Sequence, residues 1–156
     1  ADYVAGLLHN LGILILAITF PELFPQVYGK SHDSLDTLTD KEISLVGWDH
    51  AKMGAYYLWN HHISEEIVEA VHCHNHPEKA THNPSLAASV QIAEFLVRNL
   101  KIKGIEKLPH PKPDDLQMLE GWKILFGDLE EQEIEDTKQR ITSSVERLGQ
   151  TLQTII

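Results

Sequence analysis

Apolar residues recur three and four apart through nearly every segment of this chain, and no stretch alternates with period two for long enough to support a sheet. That period constrains the fold to helices packed on helices. Val4, Leu7, Leu8, Leu11, Leu14 and Ile15 predict a first helix over 3–17 that becomes apolar all round. Pro21 stops it and can begin a short helix to about Tyr28, and YGKSHDS at 28–34 reads as a loop. TDKE at 39–42 has the form of a capping box, with Thr39 capping and Glu42 reaching back, and a short helix follows to Val46.

Gly47 breaks that helix, and Asp49 is the expected N-cap of the next, about 50–61. Ser64 caps EEIVEAVHCHNH, Pro77 and Pro84 bound a loop, and Ser85 opens a long helix to about Leu100. LPHPKPDD at 108–115 is the most linker-like segment, because its closely spaced prolines forbid helix. A short helix around 115–126, Gly127 and a last helix from about Leu129 complete an all-α bundle of seven or eight helices.

A chain of 156 residues suits one domain with one sizeable core, here 1–156 with a terminal amphipathic helix over 128–156. The opening ADYVAGLLHN already reads as helix without a cap or lead-in, so a domain lacking its natural N-terminal part is expected. Net charge is −10, a field that repels nucleic acid and anionic membrane surfaces. The longest apolar stretch, Leu11 to Phe20, falls short of the roughly 20 residues that span a bilayer, and no basic residue precedes it as in a signal peptide. A single cysteine, Cys73, excludes an internal disulfide. A cytoplasmic protein is expected.

Of the ten histidines, six fall between 61 and 82, spaced and internal, which points to metal chemistry rather than a tag. His9 and Asn10 interrupt an apolar helix, His50 begins the helix after Gly47, His74 lies late in the helix capped by Ser64, and Glu94 sits on a mostly apolar face. Bundles bring such side chains to one point, and imidazoles suit Zn, Fe, Mn and Ni. His72 and His76, four apart, share a helix face, and His61 and His62 fall at a helix end. Two ligands alone close no site, so helix-end histidines are expected for both pairs. Cys73 lacks a nucleophilic partner pattern, and neither a G-x-S-x-G nor a Gly-rich phosphate loop is present.

Three segments carry a family resemblance: YVAGLLHNLGILIL, GWDHAKMGAYYLWNHHISEEIVEAVHCHNHPEKA and SLAASVQIAEFLV. Over about residues 3–100 they resemble the HDOD domain, the HD-related output domain, a bacterial signalling relative of the HD and HD-GYP metal-dependent phosphohydrolases. Gly47, Asp49, His50, Ala51, Gly54 and Ala55 fall in register with it. The resemblance implies an HD-like helical bundle. It puts the His-Asp pair of the catalytic relatives on His9 and Asn10, their next histidine on His50, their paired histidines on His74 and Asn75, and their last aspartate on Glu94.

Asn10 is neutral where a carboxylate bridges two metals, and Asn75 replaces a second ligand. A two-metal phosphohydrolase holds about four positive charges while making hydroxide. Glu94 alone is little compensation. The expectation is therefore a vestigial site of His9, Asn10, His50, His74, Asn75 and Glu94, without a cofactor, or with a single weakly held Zn, Ni, Mn or Fe. In function, the resemblance implies a non-catalytic regulatory or scaffolding module in bacterial signal transduction, with signalling proteins as partners. The alternatives are a metal-dependent phosphohydrolase acting on a nucleotide or cyclic dinucleotide, and a nucleotide or metal sensor without turnover.

Ile134, Ile141, Leu148 and Ile155 are seven apart, with Val145 and Leu152 four after two of them and Lys138 spoiling one position. A homodimer through this C-terminal helix is one reading, and a terminal helix packed on its own domain is the other.

Overall fold

The apolar run at the N-terminus is two helices rather than one: α1 (Asp2–Leu8) and α2 (Leu11–Thr19), broken at the His9–Asn10 pair, with Asn10 at the N-cap of α2. A computed structural model describes residues 1–29, 35–99 and 113–155. Among them follow α3 (Phe24–Tyr28), α4 (Leu35–Val46), α5 (His50–Asn60), α6 (Glu65–Cys73), a 3-10 turn at Pro77–Lys79, α7 (Pro84–Asn99), a 3-10 stretch at Pro113–Met118, α8 (Glu120–Phe126) and α9 (Glu131–Ile155). With the broken pair counted once these are eight α-helices, and the described residues hold no strand. Most of YGKSHDS and the prolines of the linker-like segment before Pro113 lie outside the described residues.

Local chemistry explains most boundaries. Gly47 ends α4 at φ +86°, a left-handed conformation that suits glycine. The Asp49 carboxylate accepts the Lys52 N–H at 2.7 Å and caps α5 as expected. Three caps differ from expectation. Ser64 stands at the N-cap of α6, but its side chain makes no cap hydrogen bond. Thr39 lies inside α4, which begins at Leu35, so TDKE is no capping box and Glu42 is turned into the core. Asn83, rather than Ser85, caps α7: its Oδ1 accepts the Leu86 N–H at 3.0 Å, with Pro84 in the first turn, where its missing N–H costs no hydrogen bond.

The α7 entrance has a second support. The Glu69 carboxylate of α6 accepts backbone N–H groups of Thr81, His82 and Asn83 at 2.7–3.1 Å. Burial alone raises its pKa, but the N–H groups of Asn83 and Thr81 outweigh this and bring it down to about 2. Its folded value lies below its unfolded one, so its contribution is present above about pH 4.5 and lost as pH falls toward 2. Glu69→Ala is expected to cost about 1–2 kcal/mol at pH 7, as lost caps do. Unfolding in urea at pH 7 and at pH 3 checks this, since the deficit must shrink at the lower pH.

The bundle closes around small residues. Ala5 of α1 packs with Ala70 of α6 and with Leu86 and Val90 of α7. Leu8 and Leu11 pack against Ala55, Leu58 and Val71. A third cluster joins Ile92 and Phe95 of α7 to Leu116 and to Trp122 of α8. The closest approach is between α2 and α5. A methyl added to Gly12 would come 1.8 Å from the His50 carbonyl oxygen, and one added to Gly54 would come 3.0 Å from the Gly12 nitrogen. This contact seats the His9–Asn10 break beside the start of α5.

By length and composition, Asp2–Thr19 is apolar enough to cross a membrane, with mean hydropathy 1.5, once the residues before Leu11 are counted. It is broken at its middle, with Ala5, Gly12 and Leu16 facing the bundle, while Tyr3, Leu7, Leu14 and Ile18 are exposed.

Candidate functional site

Three imidazoles meet where α1 ends, α5 begins and α6 ends. The His9 and His74 rings pack edge to face with centroids 5.2 Å apart, and the His50 ring lies 5.5 Å from that of His74. Each Nδ1 is tied to an acceptor. His9 Nδ1 donates to the Gly6 carbonyl at 2.7 Å, and His74 Nδ1 donates to the Val71 carbonyl at 2.7 Å. His50 Nδ1 lies 2.8 and 2.9 Å from the two carboxylate oxygens of Glu42. Such bonds fix the ring tautomer and leave Nε2 of a neutral ring as an acceptor.

Glu94 reaches this cluster from α7. Its carboxylate lies 3.8 Å from His9 Nε2 and 3.9 Å from His74 Nε2. One turn further along α7, the buried Arg98 guanidinium hydrogen-bonds to the same carboxylate. Burial alone raises the Glu94 pKa. The neighbouring His9 side chain and the Arg98 charge outweigh it and hold the carboxyl far below the usual range. The one carboxylate among the expected ligands is therefore already neutralised by a fixed cation.

Of the six expected residues, the structure gathers His9, His50, His74 and Glu94. Asn10 and Asn75 flank them along the chain. Asn10 is partly buried at the N-cap of α2, and its side chain makes no cap hydrogen bond. The Asn75 amide is buried without a hydrogen-bond partner, as are His9 Nε2 and His74 Nε2. His72 and His76 do not share a helix face, because α6 ends at Cys73. His76 pairs with Glu78 at 3.3 Å, though both histidines line one open cleft. His61 stacks on Tyr57 with centroids 4.1 Å apart, and His62 is exposed at φ +59°. Cys73 is buried, which pushes its thiol pKa up.

Sequence reading missed Glu42, Tyr28 and Arg98. Glu42 is fully buried and also accepts the His50 backbone N–H at 3.0 Å and the Tyr28 hydroxyl. Burial and the facing Glu42 charge push the Tyr28 pKa far up, so the phenol stays protonated and donates. The Glu94–Arg98 pair did carry a local signal, its i,i+4 spacing. Glu42, eight residues before His50 and separated from it by a helix break, carried none.

The donor set does not fit a two-metal hydrolytic centre. Metal ligands converge on one point at about 2.0–2.2 Å. Among the described residues, no group of three or more His, Cys, Asp or Glu side chains is gathered closely enough to hold an ion. Asn10 and Asn75 contribute no charge, and the Glu94–Arg98 pair sums to zero.

His74 sets an acid limit on this cluster. Burial is the main cause that pushes its pKa down to about 4, from an ordinary 6.5, so it is neutral at pH 7. The unfolded chain binds the extra proton first. Stability is therefore present above about pH 6.5 and lost as pH falls toward 4, by up to about 3 kcal/mol. Denaturant midpoints between pH 7 and 4.5 are expected to fall steeply for the parent and less steeply for His74→Gln. Equal slopes would show that another group sets the limit.

Residues 1–77 match the family model of the HDOD domain. The match takes in His9, Asn10, His50, His74 and Asn75, while Glu94 and Arg98 lie beyond it. No curated protein and no solved structure matches the chain.

Proposed function

We propose, from the premise that residues 1–77 belong to the HDOD domain family, the HD-related output domains, that this chain is a non-catalytic regulatory or scaffolding module of bacterial signal transduction. One observation carries the reading: the buried Arg98 guanidinium on Glu94. A hydrolytic HD centre needs carboxylate charge to offset two cations while it makes hydroxide. Here the pair's aspartate is Asn10, and the remaining carboxylate carries an arginine. The fixed positive charge opposes entry of a divalent ion. The old centre thus serves as a polar core that fixes how α1, α5, α6 and α7 meet, and partner proteins read the resulting surface. Cytoplasmic localisation belongs to the same reading. The link from fold family to signalling is analogy.

The test is turnover together with metal content. Protein purified without chelator is incubated with cyclic dinucleotides and nucleotide phosphates in the presence of Mn or Fe. The expected result is no turnover and less than one metal ion per chain. Two tightly bound metals with turnover would overturn the proposal. The unpartnered Nε2 atoms of His9 and His74 favour a second reading, a sensor that holds one ion or a small polar ligand without turnover. One stoichiometric metal without turnover selects it.

A further inference from the structure

We infer that α9 pairs with α9 of a second copy of this chain through its distal half. Among the described residues, α9 meets its own domain through Ile134 and Ile141, which pack against the cluster of Ile92, Phe95, Leu116 and Trp122. The helix then continues to Ile155. Val145 is only partly buried, and Leu148 is 51% exposed. A groove lined by Phe126, Leu129, Ile141 and Val145, together with Thr137, Arg140 and Ser144, opens along the same face.

This distal half is a poor helix on its own. Residues 142–155 contain no alanine, and Thr142, Ser143, Ser144, Gly149, Thr151 and Thr154 are weak helix formers. Isolated helices shorter than about 12–15 residues are marginal in water even with favourable sequences. Burial of an apolar stripe against a partner is the available source of stability, and Val145, Leu148, Leu152 and Ile155, alternately three and four apart, have the spacing by which two helices interdigitate.

Charge selects the partner. The chain carries −10, yet Glu146 and Arg147 are the only charges in 142–155, they cancel, and neither lies on the stripe. The positions beside the stripe are Thr142, Ser144, Gly149 and Thr151, all small and uncharged. A second copy of the same segment therefore meets no like charge. An acidic or basic partner helix would find nothing on these flanks to pair with. Self-pairing of one patch about a two-fold axis gives a closed dimer.

The experiment measures the mass of the full chain by sedimentation equilibrium over a range of concentrations. The expected species has twice the 17.7 kDa of one chain. Leu148→Glu is expected to weaken the dimer about 100-fold or more, since it removes an apolar contact from both copies and buries two charges. Leu148 is exposed in the single chain, so this variant keeps its fold, which circular dichroism checks. Ser143→Glu, on the opposite face, is expected to remain dimeric. A parent monomeric at about 100 µM, where a dissociation constant in the micromolar range would show, or a dimer indifferent to Leu148→Glu, would overturn the inference.

Discussion

Glu42→Ala is expected to lower the unfolding free energy by about 3–5 kcal/mol, because several buried donors lose their shared acceptor at once. The carboxylate is fully buried and serves the His50 backbone N–H, the His50 ring and the Tyr28 hydroxyl. Its loss leaves donors on α3 and α5 without an acceptor, and each unsatisfied buried group costs about 1–3 kcal/mol. Glu42→Gln keeps the volume and one acceptor oxygen, and about 1–2 kcal/mol is expected from the hydrogen bonds it loses. Urea unfolding at pH 7 measures both. A cost below about 1 kcal/mol for the alanine variant would mean that His50 and Tyr28 find other partners.

Gly12→Ala is the second large effect, and its cause is steric. The added methyl would lie 1.8 Å from the His50 carbonyl oxygen and 2.9 Å from the Gly54 nitrogen, both backbone atoms of α5. A flexible side chain could turn aside, but a helix backbone must move as a body. Separating α2 from α5 also shifts His50 away from Glu42 and His74. The expected cost is about 3 kcal/mol, the upper part of the range for overpacking a close-packed core. Gly6→Ala, in the preceding helix, has open space around the new methyl and is expected to be neutral or slightly stabilising. Thermal unfolding of the two variants side by side separates the clash from the general effect of glycine replacement. Equal midpoints would show that α2 and α5 slide apart without cost.

These two positions mark where sequence reading stops. Gly12 stands in plain view within LHNLGI, but a glycine in a helix reads the same whether it faces solvent or a backbone one contact away. Only the crossing of α2 over α5 makes it indispensable. Glu42 misleads because Thr39 and Glu42 have the spacing of a capping box, and that motif requires a helix start which the chain places earlier, at Leu35. The break at His9–Asn10 escapes for a related reason: the apolar period runs straight through it, and the turn depends on α1 packing against α6 and α7 while α2 packs against α5.

The sequence by itself determined that the chain is all helical and where Asp49 and Gly47 punctuate it, properties that are local or periodic and set by backbone preferences and by residues a few positions apart. That His9, His50, His74 and Glu94 belong together came only as what the family resemblance implies. The tertiary structure alone decided which charges face which. Glu42 meets His50 and Tyr28, and Arg98 meets Glu94 beside His9 and His74. Electrostatic partnership in a buried site depends on distances of a few ångströms between side chains on different helices, and no period along one chain encodes those distances.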